Sequence, residues 1–258
     1  MSAPKRAAFF AELAQWAAAH GVRPSLHRYG PHPDQHVELR LPAGGGPHPV
    51  AVVLHGGFWR APFTRRNTAA VAAALTAQGW ATVNVEYRRG RSYRETLEDV
   101  AVACAAVRTL AAPLDSARTI AVGHSAGGQL ALWAAAEGLV AATVSLAGVA
   151  DLEAAAAAGL GGDAVVEFLG GLPDEVPERY AEADPLRRLP LGVPTLLVHG
   201  TADDRVPLSQ SQAFVAAAVA RGDRCRLLLL RDADHFDPVD PRSDHWPAVA
   251  AAVAGVLS

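Results

Sequence analysis

The feature that most constrains the fold of this chain is an alternation of short apolar runs with longer segments of helical period, which continues from Leu41 to the end of the sequence. Each helical segment is long enough to carry the chain back across a sheet to a parallel strand. Most apolar runs lack strict alternation of apolar and polar residues, as expected of strands buried on both faces. The pattern predicts an α/β fold: a mostly parallel central sheet with helices on both faces, in one domain over residues 1–258.

Strands are expected at residues 36–41, 50–54, 81–85, 119–122, 142–146, 195–198 and 226–230. Helices are expected at residues 66–78, 93–111, 126–137, 209–221 and 244–257. Residues 1–30 form an N-terminal helical extension, in which an aromatic stripe at helical spacing is expected to pack on the body. Residues 151–190 break the alternation with clustered glycines and prolines. They are expected to form a short helical insertion that acts as a lid.

The strongest local signal is a GxSxG sequence, Gly123 to Gly127, between an apolar strand and a helix. A serine on such a sharp turn adopts strained backbone angles and holds its hydroxyl above the sheet. The flanking glycines let neighbouring backbone pass without a Cβ clash. The context predicts that Ser125 is a nucleophile.

A serine hydroxyl needs a base within hydrogen-bond reach, and that base needs a third group to orient it. Asp203 and Asp204 follow the strand at residues 195–198, and His235 follows the strand at residues 226–230. Carboxyl ends of parallel strands meet at one edge of a sheet, so both groups are expected near Ser125. His235 is the expected general base, while His245 is expected to open the last helix.

From about Tyr29 onward the chain resembles the α/β-hydrolase superfamily, which implies an α/β-hydrolase fold with the order serine, acid, histidine. In that family the acid of HGxxDxxVP is the first aspartate, which implies Asp203, with Asp204 as the competitor. A second motif, His55 to Trp59, follows a strand, and its glycines permit close backbone approach to an oxyanion. The resemblance implies oxyanion-hole amides at Gly57 or Phe58 together with Ala126, whereas His55 is expected to be structural.

The HGGFW sequence, the residues around His235 and a segment that begins at Tyr29 resemble the arylformamidase (kynurenine formamidase) and small carboxylesterase branch. The resemblance implies that Trp59 and Phe63 flank the oxyanion loop and offer apolar surface to a substrate. Trp133, on the helix after the nucleophile, is expected to be buried. The expected activity is hydrolysis of a small ester or aryl formamide through an acyl-enzyme.

Two other classes of function stay open. HGTADD also resembles the prolyl-oligopeptidase class of peptidases, although the chain shows no sequence for the large N-terminal propeller of those enzymes. A non-catalytic ligand receptor on a hydrolase scaffold is the other alternative. The presence of serine, histidine and aspartate in the expected order argues against an inert site.

Composition excludes several partners. A formal net charge of -3 without a basic run gives no footprint for nucleic acid or an anionic membrane. No metal signature and no phosphate-binding loop occurs, so we expect neither metal nor cofactor. Cys104 and Cys225 are predicted to be buried free thiols, which favours a cytoplasmic protein. The expected partner is a small ester or amide, and the expected assembly is a monomer or homodimer.

Overall fold

Eight strands form one sheet in the computed structural model, which describes residues 3–90 and 92–258. The strands are β1 (Ser25–Arg28), β2 (His36–Arg40), β3 (His48–Leu54), β4 (Ala81–Glu86), β5 (Leu114–His124), β6 (Ala142–Leu146), β7 (Thr195–Gly200) and β8 (Cys225–Leu230). The α-helices are α1 (Ala3–His20), α2 (Ala69–Ala77), α3 (Tyr93–Ala106), α4 (Ala126–Ala136), α5 (Leu152–Ala157), α6 (Ala164–Leu169), α7 (Pro177–Ala183), α8 (Ser209–Ala220) and α9 (Trp246–Ala254). Short 3₁₀ turns cover Arg65–Thr68 and Asp237–Val239.

The strand order is β1-β2-β4-β3-β5-β6-β7-β8. Strands β1 and β2 pair antiparallel, and β2 pairs antiparallel with β4, whereas every pair from β4 to β8 is parallel. The sheet is therefore mostly parallel with an antiparallel edge, and helices lie on both faces. The alternating pattern predicted a sheet of this kind, and the family resemblance implied the α/β-hydrolase fold that is observed.

Alternate residues of the central strands enter two separate hydrophobic cores. Val50, Val52 and Leu54 of β3 join the core under α3 and α4. Ala51 and Val53, between them, join the core under α2 and α9. Because both sets are buried, β3 reads in the sequence as a continuous apolar run rather than an alternating one.

Helix α1 packs on α2 and on the loop that follows β8. Leu13 of α1 is fully buried in a small third core that also contains Phe10 and Phe236. The Phe10 and Phe236 rings lie 5.6 Å apart in an edge-to-face arrangement, which is favourable for aromatic pairs. The predicted packing of an N-terminal helix on the body is confirmed, and the contact with Phe236 places α1 next to His235.

Two parts of the predicted organisation differ from the structure. The extension at residues 1–30 is not helical throughout, because residues 25–28 form the edge strand β1. The insertion at residues 151–190 contains α5, α6 and α7, as expected of a helical segment, but it packs against the loop at residues 58–60. Arg60 donates to the carbonyl oxygens of Gly161 and Gly162, and Trp59 stacks on Phe168.

The two cysteines differ in burial. Cys104 is buried and Cys225 is half-buried, and both are free thiols. Burial raises the pKa of each to about 12, so both thiols stay protonated near neutral pH.

Trp133 on α4 is buried, as predicted. Within residues 3–90 and 92–258, no helix combines the length and apolar character needed to cross a bilayer.

Candidate active site

The carboxyl ends of four parallel strands bring the predicted site residues together. Strand β3 ends at Leu54, directly before the loop with Gly57 and Phe58, and β5 ends directly before Ser125. Strands β7 and β8 end shortly before Asp203 and His235. In sheets of this kind, ligands bind outside the carboxyl ends of the strands.

Ser125 occupies a strained turn between β5 and α4. Its φ of 56° and ψ of -119° lie in a region that L residues rarely adopt. The turn is held by the backbone N–H of Ser125, which donates to the carbonyl oxygen of Leu146 at 2.9 Å. Ser125 lines a cavity at this edge of the sheet.

Glycines are required around this turn because neighbouring backbone atoms leave no room for a Cβ. A Cβ on Gly123 would lie 1.8 Å from the carbonyl oxygen of Gly127. A Cβ on Gly127 would lie 2.2 Å from the carbonyl oxygen of Leu54. Both distances are far below contact, so the GxSxG glycines are fixed by packing of α4 and β3 on the turn.

Asp203 and His235 form a buried hydrogen-bonded pair. Nδ1 of His235 donates to Oδ2 of Asp203 at 2.8 Å, and the Asp203 carboxylate is fully buried. The other oxygen, Oδ1, accepts from the backbone N–H groups of Arg205 and Val206. The carboxylate thus fixes the His235 ring in the orientation that leaves Nε2 available to a hydroxyl.

His199, which belongs to none of the predicted site residues, is a third partner of this carboxylate. Its Nε2 lies 3.2 Å from Oδ2 of Asp203 and 2.9 Å from the carbonyl oxygen of Val206. Burial alone would raise the pKa of Asp203, but hydrogen bonds from His199 and His235 outweigh burial and hold that pKa well below its usual range. Asp203 is therefore ionised throughout the pH range in which the protein would work.

The other acidic and histidine residues of these motifs lie in environments that differ from those of Asp203 and His235. The Asp204 side chain is 62% exposed and pairs with Arg205. His245 caps the N-terminal end of α9 and does not line the cavity that contains Ser125. His55 is buried against Glu86, 3.1 Å from Nε2, and stacks on Tyr87, so its contacts hold the β3 loop in place.

Ser125 and His235 line one cavity. In the described part of the chain, no hydrogen bond joins their side chains. Such bonds are often long in a ligand-free site and tighten when substrate binds. His124 supports the His235 loop, because its Nε2 lies 3.0 Å from the carbonyl oxygen of His235. Burial, and then the nearby His235, lower the pKa of His124 to about 3, so this ring is neutral and donates through Nε2.

Three backbone N–H groups near Ser125 have no acceptor within residues 3–90 and 92–258: those of Gly57, Phe58 and Ala126. Gly57 has a φ of 126°, and a Cβ there would lie 2.2 Å from Cβ of Phe63. The amide of Ala126 is at the first position of α4, where helix geometry leaves it unpaired. These groups are the ones expected from the sequence to bind an oxyanion.

The cavity at Ser125 has a volume of about 30 Å³, and its walls include Phe10, Phe58, Phe63 and Phe236. A larger groove of about 870 Å³ lies between α1 and residues 62–67. The two share Arg6, Phe10, Phe63 and Asn67, so the groove adjoins the cavity. No residue of 151–190 lines the cavity directly, whereas Arg6 and Phe10 of α1 do. The insertion packs against Phe58, a wall of the cavity, and its role as a lid stays a prediction.

Trp59 and Phe63 have different positions. Phe63 lines the cavity, as expected. Trp59 is 2% exposed, its Nε1 donates to Oε1 of Gln129, and its ring stacks on Phe168 at 4.5 Å. Trp59 therefore offers no surface to a ligand at Ser125. Phe58, the neighbouring residue, supplies the aromatic wall instead.

The site is built without a cluster of metal ligands. Within the residues that the structure describes, no group of three or more histidine, cysteine or acidic side chains has a geometry that would hold a metal ion. The histidines at the site, His124, His199 and His235, bond to carbonyl oxygens or to the Asp203 carboxylate.

Esterases are among the proteins of similar sequence and structure. Esterase LipC of Mycobacterium tuberculosis is 30% identical over 242 residues, which cover 82% of this chain and 59% of LipC. The 5-methylorsellinic acid synthase of Aspergillus terreus is 36% identical over 94 residues, only 4% of that protein. The chain thus spans less than two thirds of the length of these relatives.

Solved structures show the same fold. A truncated carbohydrate esterase from gut microbiota superposes with a TM-score of 0.79 at 18% identity, over 92% of this chain and 97% of that one. Propionate-bound esterase 2 of Thermogutta terrifontis superposes with a TM-score of 0.73 at 23% identity, over 91% and 93%. Residues 68–248, more than half of the sequence, match the family description "Prolyl oligopeptidase family". By that match, this α/β-hydrolase chain belongs to the prolyl oligopeptidase family.

Proposed function

We propose that this chain is a serine carboxylesterase that transfers the acyl group of a small ester first to Ser125 and then to water. The observation that carries the proposal is the 2.8 Å bond from His235 to the buried Asp203 carboxylate, at the edge of the cavity that also holds Ser125. Esterases of similar sequence and fold add support.

In the proposed mechanism, the Ser125 hydroxyl attacks the ester carbonyl while Nε2 of His235 accepts its proton. The carbonyl oxygen becomes an oxyanion and accepts hydrogen bonds from the amides of Ala126 and of Gly57 or Phe58. His235 returns the proton to the departing alcohol, which leaves an acyl-enzyme. His235 then activates a water for deacylation, while Asp203 stays ionised and stabilises the imidazolium.

The proposed acyl group is small. A cavity of about 30 Å³ has room for a group the size of roughly one or two water molecules. Formyl and acetyl groups fit that size, and four aromatic rings surround them. An aryl formamide, the substrate type of the arylformamidase branch, is therefore the second ligand class we propose for the same site.

A peptidase is the competing candidate, because the chain belongs to a family named for an oligopeptidase. A peptide substrate would need room on both sides of the scissile bond. The cavity at Ser125 is narrow, and α1 covers one side of it. These features favour a small ester over a peptide.

A substrate panel combined with active-site labelling tests the proposal. We expect wild-type protein to react with a fluorophosphonate at Ser125, to hydrolyse 4-nitrophenyl acetate faster than the octanoate, and to release little from an aminoacyl amide reporter. Ser125→Ala is expected to lose about 10⁵- to 10⁶-fold in turnover and to keep the wild-type unfolding midpoint.

Two results would contradict the proposal. Absence of fluorophosphonate labelling in folded protein would favour a non-catalytic receptor. Preferred cleavage of the aminoacyl reporter, abolished in Ser125→Ala, would favour the peptidase. Turnover of N-formylkynurenine with a higher kcat/KM than any acetate ester would move the assignment to the aryl formamide class at the same site.

A further inference from the structure

The walls around Ser125 carry positive charge that the proposed acyl transfer does not use. Arg6, Arg65, Arg66 and Arg205 line the cavity or the adjoining groove. No aspartate or glutamate of the described residues lines either space. Basic side chains therefore outnumber acidic ones in these walls, although the whole chain has a formal net charge of -3.

These arginines differ in their partners. Arg65 pairs with Glu38 and Glu86, and Arg205 pairs with Asp204. Arg6 lines both spaces and is half-buried, with its guanidinium 5.3 Å from the centre of the Phe63 ring. Within residues 3–90 and 92–258, no carboxylate forms an ion pair with Arg6. The guanidinium is therefore held in place by an aromatic ring while its hydrogen-bond donors remain available.

Asn67 supplies a second polar group to the same walls. It lines both the cavity and the groove, and the residue is 9% exposed. Its side-chain amide makes no hydrogen bond to any described residue. A side-chain amide in a cavity wall that has no protein partner can donate to a group bound in that cavity.

We propose that Arg6 and Asn67 bind a carboxylate on the part of the substrate that lies in the groove. The inference rests on the proposed esterase function and names its substrate class: an ester of a small acid with an alcohol or phenol that carries a carboxylate. The acyl group fills the narrow cavity at Ser125. The anionic portion extends into the groove between α1 and residues 62–67, whose wall contains both the Arg6 guanidinium and the Asn67 amide as hydrogen-bond donors.

A matched pair of substrates tests the inference: 4-acetoxybenzoate, which is anionic, and 4-acetoxybenzamide, which is neutral and of the same shape. The measured quantity is the ratio of their kcat/KM values. We expect the wild-type ratio to favour the anionic ester by about tenfold, and Arg6→Gln to remove most of that preference through a higher KM for the anion.

Lys5→Gln is the matched control, because Lys5 is the exposed neighbour of Arg6 on the same helix and lines neither space. It makes the same change in net charge, so it measures the general electrostatic effect. We expect its ratio to stay close to that of wild type. Asn67→Asp, which places a carboxylate in the shared wall, is expected to turn the preference toward the neutral ester.

The outcomes separate this inference from the esterase proposal. If wild type hydrolyses both esters with a ratio that neither Arg6→Gln nor Asn67→Asp changes, the carboxylate subsite is wrong and the esterase proposal stands. If Lys5→Gln lowers the ratio as much as Arg6→Gln, the effect is a general field and the subsite is again wrong. If folded wild type hydrolyses neither ester nor any nitrophenyl ester, both proposals fail.

Discussion

At the level of single residues, Asp203 and Asp204 are adjacent in sequence and opposite in environment. Asp203 is buried and accepts hydrogen bonds from two histidines and two backbone amides. Asp204 is largely exposed beside Arg205. Chemically the two side chains are identical, so only the burial and the partners distinguish the candidate catalytic acid from a surface charge.

Asparagine substitutions at the two positions give unequal predictions. Asp203→Asn removes the charge that orients and stabilises protonated His235, and we expect turnover to fall by about 10⁴-fold. Asp204→Asn removes a solvated charge, and we expect turnover within about twofold of wild type. The measurement is kcat on 4-nitrophenyl acetate, with circular dichroism as the control for folding. A larger loss at position 204 would reverse the assignment.

At the level of secondary-structure elements, α1 has two roles. Its apolar face, centred on Leu13, docks on α2 and Phe236. Its Arg6 and Phe10 line the cavity at Ser125. The salt bridge between Glu12 and Arg242 ties the same helix to the loop before α9. Docking of α1 therefore shapes the site as well as covering α2.

Leu13→Ala tests this coupling. Removal of a fully buried leucine side chain costs about 2 to 5 kcal/mol of stability. Because Leu13 lies between α1 and α2, we expect the loss to appear first as faster hydrogen exchange in α1, with a higher KM for esters. Val22→Ala, at an exposed position just after α1, is the control and should change neither quantity. If the amides of α1 exchange at the wild-type rate in Leu13→Ala, the coupling is contradicted.

The central strands could be predicted from sequence because burial on both faces leaves long apolar runs. Strand β6 was predicted with its observed limits, and β3, β4, β7 and β8 to within two residues at either end. Strand β1 was missed, since its four residues are mostly exposed and contain no apolar run. It is paired only at the sheet edge, so the partner strand rather than its own sequence determines its conformation.

The positions of the site residues could be predicted in part. The order of strands along the chain places Ser125, Asp203 and His235 at one edge, and the structure brings them there. The direction of a loop side chain depends on backbone angles that no periodicity encodes. At Trp59 a φ of 55° accompanies a ring turned inward to Gln129. The stripe on α1 likewise predicts that the helix packs, but not against which surface.

At the level of the whole molecule, one buried carboxyl group makes stability depend on pH. Asp184 follows α7 and is 1% exposed, and its Oδ1 accepts from the backbone N–H of Leu186. Burial raises the pKa of Asp184 to about 7 from 3.8. The native state therefore holds a proton that the unfolded chain releases, and stability falls as pH rises from about 4 to about 7. Asp203 has the opposite effect. Because its pKa is lowered in the folded protein, stability falls only when acid protonates this carboxylate.

Asp184→Asn isolates this effect. The amide keeps the acceptor for Leu186 and cannot ionise, so the variant should lose less stability than wild type between about pH 5 and pH 8. Urea unfolding midpoints at the two pH values measure the difference. Asp174→Asn, at a position in the same insertion that is more exposed, is the control. Equal pH dependence in wild type and Asp184→Asn would contradict the prediction.

The docking of α1 beside the Ser125 cavity has a consequence for how new specificities arise in this protein. The proposed reaction depends on residues at the ends of β3, β5, β7 and β8, whereas one wall of the adjoining groove comes from the first twenty positions of the sequence. If the proposed subsite binds substrate, substitutions in α1 alter which esters react and leave Ser125, Asp203 and His235 in place. Libraries randomised over the exposed side of this segment are therefore an economical place to seek altered selectivity.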